Sequence, residues 1–368
     1  MVKTVARWMV VLLVFAAGCS SGGETLEVRL GVVQSLTGTG AAYGQSGAEG
    51  IRLAIDEVNA SDGGISIEYA VSDDASKPET GVGAFQAFVD DGVTAVIGPS
   101  LSNVAFQALA VTEGGGVPAI SPMTTASGIG EIGDYVFRVA LAEDASLPAL
   151  IARVATISSV RTGALFFDSS DAYSRSSAEA MRAGLAASGG AVTIEVDIAA
   201  GMPTAAMLAG SAVTEADIFL LPMLVDAAAP VLRGLRDAGL TQPAIGGSAL
   251  ASPDLVKLAG DAADGTYVAS TWHPDVANER SREFVRAYTE AFGHAPDNYA
   301  AVSYASVYLL VDALQRAGSP DPDKLRDALT ATSALDTVLG TLSIGPSGDA
   351  TFQPVFQVFS DGTLTLLD

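Results

Sequence analysis

Apolar positions along this chain follow two alternating spacings, and the alternation predicts a mixed α/β protein. Val28-Arg29-Leu30-Gly31-Val32-Val33 is rich in β-forming residues and fits a buried strand. The glycine-punctuated stretch 36–47 reads as a loop. Ile51, Ala54, Ile55 and Val58 then fall on one face of a helix over 48–59. Strands follow at 65–72, 94–97 and 117–120, with helices at 79–90, ending at Gly92, and at 103–112. A second series repeats the rhythm: helix 147–156, strand 162–167, helix 174–187 stopped by Gly189-Gly190, strand 192–196, helix 204–213, strand 217–221, helix 227–238 closed by Gly239, and a short strand at 244–246. Strands and helices in this order imply parallel strands joined by right-handed crossovers, hence two doubly wound α/β units.

The last third builds no third unit. It reads as a strand at 265–271, helices at 278–292, 299–317 and 323–331, a strand at 341–344, and a hairpin across 352–367 turning at Asp361-Gly362. Three helices with so few strands need an existing sheet to cover. They are expected to return to the first unit, and the final strands to the second.

The N-terminus changes the compartment. A basic start with Lys3 and Arg7, an apolar run from Met9 to Ala17 too short for a stable span, and small residues before a break form an export signal. Ala16-Ala17-Gly18-Cys19 resembles a bacterial lipobox, with Ala16 where Leu is usual. In such a box residues 1–18 are removed and the thiol of Cys19, the sole cysteine, carries lipid. Residues 19–24 then form a Ser/Gly-rich tether. Loss of the signal leaves 17 basic residues against 42 acidic, a net charge of −25. Such a surface repels nucleic acid and anionic lipid. With 368 residues, 49% of them hydrophobic, the chain has material for about two packed domains. His273 and His294 lie in loop-like sequence without metal spacing, so they are expected in solvent and no metal site is expected.

Ligands of open parallel sheets bind beyond the carboxyl ends of the strands. The loop Gly98-Pro99-Ser100-Leu101-Ser102-Asn103 ends one strand and opens a helix, with Ser102 expected as its N-cap. Free amides at that positive helix end suit a small anion. The next strand end, Ile120-Ser121-Pro122-Met123-Thr124-Thr125, adds further hydroxyls beside it. Phe167-Asp168-Ser169-Ser170-Asp171-Ala172-Tyr173 holds the equivalent place in the second unit, where Tyr173 either covers a ligand or is an ordinary half-buried tyrosine.

These stretches carry a family resemblance. The segment from Leu30-Gly31 to Ala42-Tyr43-Gly44 is similar to the opening of the leucine/isoleucine/valine-type substrate-binding proteins of ABC importers. Ser72-Asp73-Asp74-Ala75, Ile97-Gly98-Pro99 with Ser102, Val117-Pro118-Ala119-Ile120-Ser121-Pro122 and Asp336-Thr337-Val338-Leu339-Gly340 match as well, in order along nearly the whole mature chain. The resemblance implies a type I periplasmic-binding-protein fold: two α/β lobes joined by three hinge crossings. Lobe 1 is then 25–140 plus 271–343 and lobe 2 is 141–270 plus 344–368. It implies a small amino-acid-like ligand, an ABC permease partner, a monomer and no cofactor. Ser102 and Thr125 match positions that hold a ligand's carboxylate and ammonium, and Met123 one that offers its backbone carbonyl to the ammonium. Tyr43 and Tyr173 match aromatic positions lining the pocket, and Tyr299 one on its rim, where a packing role fits equally well. Thr124 belongs to the same hydroxyl cluster, and Leu101 and Leu224 would make parts of the pocket apolar.

Ser248 departs from the pattern, since amino-acid binders usually carry Glu or Asp there. A buried cation without its carboxylate costs about 3–5 kcal/mol, or roughly two to three orders of magnitude in affinity. Either another acid replaces it, with Asp226 the candidate, or the ligand lacks a free ammonium. Asp226 also fits a plain helix cap. Enzymatic function is not expected: the chain has no nucleophile–His–acid set, no P-loop ending in Lys-Ser/Thr and no dinucleotide spacing. A sensory module of the same fold, binding an amide, urea-like solute or small carboxylate, is the alternative. It would need a fused signalling segment or a cytoplasmic address, whereas this sequence opens on an export signal and stops after its last expected strand.

Overall fold

Strand β1 (Leu26–Gln34) is buried over its second half, as its Val and Leu content demands, and it lies second in a five-stranded sheet. The chain continues through α1 (Ala41–Ala60), β2 (Ile65–Asp73), α2 (Pro78–Asp90), β3 (Ala95–Ile97), α3 (Ser102–Gly115), β4 (Ala119–Ser121) and β5 (Val136–Arg138). All pairings are parallel, in the order β2-β1-β3-β4-β5. These coordinates are a computed structural model describing residues 25–276 and 278–367. The expected signal, Cys19 and the rest of the tether lie outside the described residues.

A second unit repeats the plan. It comprises α4 (Glu143–Val154), β6 (Thr162–Phe167), α5 (Ala172–Ala187), β7 (Ala191–Asp197), α6 (Ala205–Leu208), α7 (Ser211–Thr214), β8 (Ile218–Leu221), α8 (Val225–Asp237), β9 (Ala244–Gly246), α9 (Pro253–Ala259) and β10 (Thr266–Ser270). Its parallel core runs β7-β6-β8-β9-β10, the order of the first sheet over again.

The chain then turns back. Helices α10 (Glu279–Phe292), α11 (Asn298–Ala317) and α12 (Pro322–Thr330) follow, with α11 lying along α1. Polar bonds fix α10 and α11 to α1: Ser46 Oγ donates to Asp297, Tyr288 to Glu49, and both Tyr304 and Tyr308 to Glu57. Strands β11 (Leu335–Thr337), β12 (Gly340–Ile344) and β13 (Ala350–Thr351) form a small antiparallel sheet. The chain stays with the first unit there, because the buried Arg138 guanidinium donates to Asp349 at 2.8 Å and to the Ala126 carbonyl at 2.6 Å. Finally β14 (Val355–Ser360) and β15 (Thr363–Leu366) join the second sheet antiparallel, beyond β10.

Three local readings need correction, and one helix, α9, went unread. Helix α1 begins at Ala41, inside the stretch read as loop. Its glycines serve close packing: a Cβ on Gly44 would lie 2.1 Å from the Ser35 carbonyl oxygen, and one on Gly50 2.2 Å from that of Ala300. The helix expected at 204–213 is two short ones, α6 and α7, interrupted at Ala209-Gly210. Helix α9 was marked by Ser252-Pro253, with the Ser252 hydroxyl accepting from the Asp254 N–H. His273 is buried rather than solvated: Nε2 faces the Leu364 carbonyl at 3.1 Å, and Nδ1 accepts from the Asp275 N–H.

Candidate functional site between the two sheets

In the order 2-1-3-4-5 the chain reverses direction of progress between strands 1 and 3, which opens a crevice at their carboxyl ends. Both units obey this, and the two crevices meet. From the first unit come the ends of β1, β3 and β4; from the second come the ends of β6, β8 and β9. Ser100, Ser102, Thr125 and Ser248, the tyrosines Tyr43, Tyr173 and Tyr299, and the apolar Leu101, Met123 and Leu224 line a cavity of about 30 Å³. That is about the volume of one water, so any organic ligand must part the two faces to enter.

Seven of the nine candidate residues therefore converge: Tyr43, Ser102, Met123, Thr125, Tyr173, Ser248 and Tyr299. Two do not. Thr124 is buried but bonded to the Ser121 hydroxyl at 2.5 Å, away from the cavity lining. Asp226 is exposed in the first turn of α8, behind Leu224 and Val225. Ser102 is also not an N-cap. Helix α3 starts on it, Leu101 occupies the cap, and the Ser102 hydroxyl accepts from the Ala126 N–H at 3.3 Å. The first amides of α3 still present the positive end of the helix dipole beside the cavity. The loop before them is held from below: Ser100 donates to the Gln34 side chain at 2.7 Å and accepts from the Ser35 N–H, while Ser35 donates to Asp74.

Bonds across the crevice hold the two faces together. The Tyr43 hydroxyl, from α1, accepts from the Val225 N–H of α8 at 2.9 Å. The Tyr299 hydroxyl, from α11, donates to the carbonyls of Ser248 and Ala249, both at 2.9 Å. The two rings meet edge to face, centroids 4.8 Å apart. At the opposite lip, Asn103 donates to Asp171 and accepts from the Ala172 N–H, each at 2.6 Å. Ser127 N–H donates to Ser176 Oγ at 2.8 Å. Asp171 also caps α5 through the Ser174 N–H, so one carboxylate both starts a helix and latches the crevice.

Sequence reasoning missed one group at the centre. Glu143, the first residue of α4, is fully buried. Its Oε1 accepts from the Ser248 N–H at 2.9 Å, the Ser248 hydroxyl at 3.0 Å and the Thr125 hydroxyl at 3.3 Å, while Ser146 donates to Oε2. Burial pushes its carboxyl up from the usual range, and these donors oppose the shift. Among the described residues no Lys, Arg or His pairs with it. In sequence it is only an acid one turn ahead of the apolar face begun by Leu147, a pattern that any solvated helix start shares.

A larger hollow of about 1020 Å³ opens between the same units near α9, reaching Glu49, Asp254, Lys257 and Asp297. It shares no lining residue with the strand-end cavity. At the small cavity the crevices of both sheets meet the start of α3.

The family model described as periplasmic binding protein matches residues 27–361. The chain belongs to the periplasmic binding protein family. It is 29% identical over 340 residues to Leu/Ile/Val-binding protein homolog 2 of Brucella abortus, covering 90% of each chain. The leucine-binding protein LivK of Thermotoga maritima shares the fold with a TM-score of 0.87 at 24% identity, over 93% of this chain and 98% of that one. The branched-chain amino acid substrate-binding protein LivJ of Streptococcus pneumoniae, in complex with isoleucine, superposes with a TM-score of 0.84 at 24% identity, over 92% and 97%. The two sheets and their helices are thus the two lobes of a type I periplasmic binding protein, and membership makes this an extracytoplasmic solute-binding protein.

Proposed function

We propose that the protein captures a small amino-acid-like solute between its lobes and delivers it to an ABC permease, acting as a monomer tethered by lipid on Cys19. It does so by binding and closure, without chemistry on the solute. The observation that carries the reading is the convergence, on one small cavity, of a helix N-terminus on the first lobe and hydrogen bonds made by Tyr43 and Tyr299 across to the second. A ligand touching both faces stabilises the closed arrangement by its differential affinity for it. The branched-chain specificity of the relatives supports a ligand of that size and polarity, with the carboxylate at the start of α3 and the side chain against Leu101 and Leu224. The lobe boundaries that fit best follow the sheets, with the chain leaving the first lobe for good only after β13.

A thermal-shift panel tests this reading. Branched-chain amino acids are expected to raise the melting temperature, and a ligand at about a hundred times its Kd adds about 2.7 kcal/mol to stability. A shift with none of the amino acids, amides or small carboxylates in the panel would overturn solute capture as the function.

A further inference from the structure

We propose that Glu143 selects for a protonated amine on the ligand, supplying from the start of α4 the negative charge that Ser248 lacks. The inference rests on the reading of the strand-end cavity as the ligand site. It deepens that reading by naming the ligand class, a zwitterion rather than a plain carboxylate, and by naming the positioning residue that enforces the choice.

The argument begins with hydrogens. A hydroxyl has one proton to donate and lone pairs to offer. The Thr125 and Ser248 hydroxyls, from opposite lobes, both spend that proton on Glu143 Oε1. Both residues line the cavity, so what remains for a ligand there is acceptor capacity. An N–H donor is matched by that pair of oxygens, and a second carboxylate is repelled by it. Tyr173 belongs to the same place. Its hydroxyl is buried, lines the cavity, and is among the groups that hold the Glu143 carboxyl down. A Cβ added to Gly247 would lie 2.5 Å from both the Tyr173 hydroxyl and Glu143 Oε1, so the two groups crowd one corner.

Charge leads to the same class. Burial of Glu143 without a cation disfavours its charge, while its hydroxyl and amide donors and the first turn of α4 favour it. An ammonium held behind the two hydroxyls would complete the set without touching the carboxylate. Glu143 therefore acts through Thr125 and Ser248, and the sequence anomaly at 248 is resolved by an acid from another crossing rather than by Asp226.

The test is calorimetry on the full mature protein with L-isoleucine and its deaminated analogue 3-methylpentanoate. The wild type is expected to prefer isoleucine by about a hundredfold, in line with the measured cost of stranding a buried charge. Glu143→Gln should lose about tenfold or more for isoleucine while changing the analogue by less than about threefold, and Glu143→Asp should restore much of the preference. Should the glutamine variant fail to fold, Thr125→Val with Ser248→Ala leaves Glu143 in place and should erase the same preference. Equal losses for both probes, or a wild type that binds the analogue as tightly as isoleucine, would overturn the role of Glu143. A wild type that answers only to a non-amine solute would do so too, while leaving solute capture standing. No response to either probe or to any member of the thermal-shift panel would instead refute solute capture.

Discussion

Thr125→Ala is expected to weaken binding of an amino-acid ligand by about ten- to a hundredfold, the worth of one hydrogen bond to a charged group. The site leaves little room for compensation. Thr125 is 2% exposed, and its hydroxyl stands between the cavity and Glu143 at 3.3 Å. The backbone does not depend on that hydroxyl, because the Thr125 carbonyl accepts from the Glu143 N–H at 3.0 Å whatever the side chain. The free protein should therefore lose only about 1 kcal/mol. Its melting temperature should fall by about 2–4 °C. Titration calorimetry beside a melting curve separates the two effects. Unaltered affinity would remove Thr125 from ligand contact, and a collapse in stability would make it a structural residue.

Gly50→Val has the largest expected effect on folding. In α1, a Cβ at position 50 would sit 2.2 Å from the Ala300 carbonyl oxygen of α11, a backbone atom that cannot swing aside. The helices must separate, and overpacking of this kind costs about 3 kcal/mol or more. That corresponds to a fall in melting temperature of about 6–12 °C. Gly83→Ala is the control: in α2 its Cβ meets nothing within 4 Å, and replacing a helical glycine stabilises by about 0.5–1 kcal/mol. If Gly50→Val melts like the wild type, α11 does not pack on α1 this closely. The consequence would reach the site, since Tyr43 on α1 and Tyr299 on α11 make two of the bonds across the crevice.

The same glycines explain what sequence could and could not convey. The β-α rhythm is legible because each buried strand needs a local run of Val, Ile and Leu, and each helix an apolar stripe. The return of α10–α12 to the first lobe follows from the shortage of strands for them to cover. Gly44 and Gly47 read as loop because local propensity counts the missing side chain against a helix, whereas the reasons for its absence are tertiary: the Ser35 carbonyl at Gly44, and Met123 and Ser303 at Gly47. Glu143 was overlooked for a similar reason. Nothing in Leu141-Ala142-Glu143-Asp144 distinguishes a solvated helix start from a carboxylate enclosed by Thr125 and Ser248, because Thr125 comes from the other lobe and Ser248 from 105 residues further along the chain. Asp226 looked the better substitute since it directly follows a strand end. One turn of α8 carries it outward instead, leaving Leu224 at the cavity.

Closure ties these elements together. The Asn103–Asp171 latch, the Tyr43–Val225 bond and the Tyr299 bonds to the Ser248 and Ala249 carbonyls all join one lobe to the other, and any motion that parts the lobes breaks them together. Small-angle scattering of the mature protein titrated with L-isoleucine measures that coupling most directly. Saturation should lower the radius of gyration to the value calculated for the closed arrangement described here, with the free protein more extended. Tight binding that leaves the radius of gyration unchanged, with the free protein remaining extended, would contradict capture by closure of the lobes.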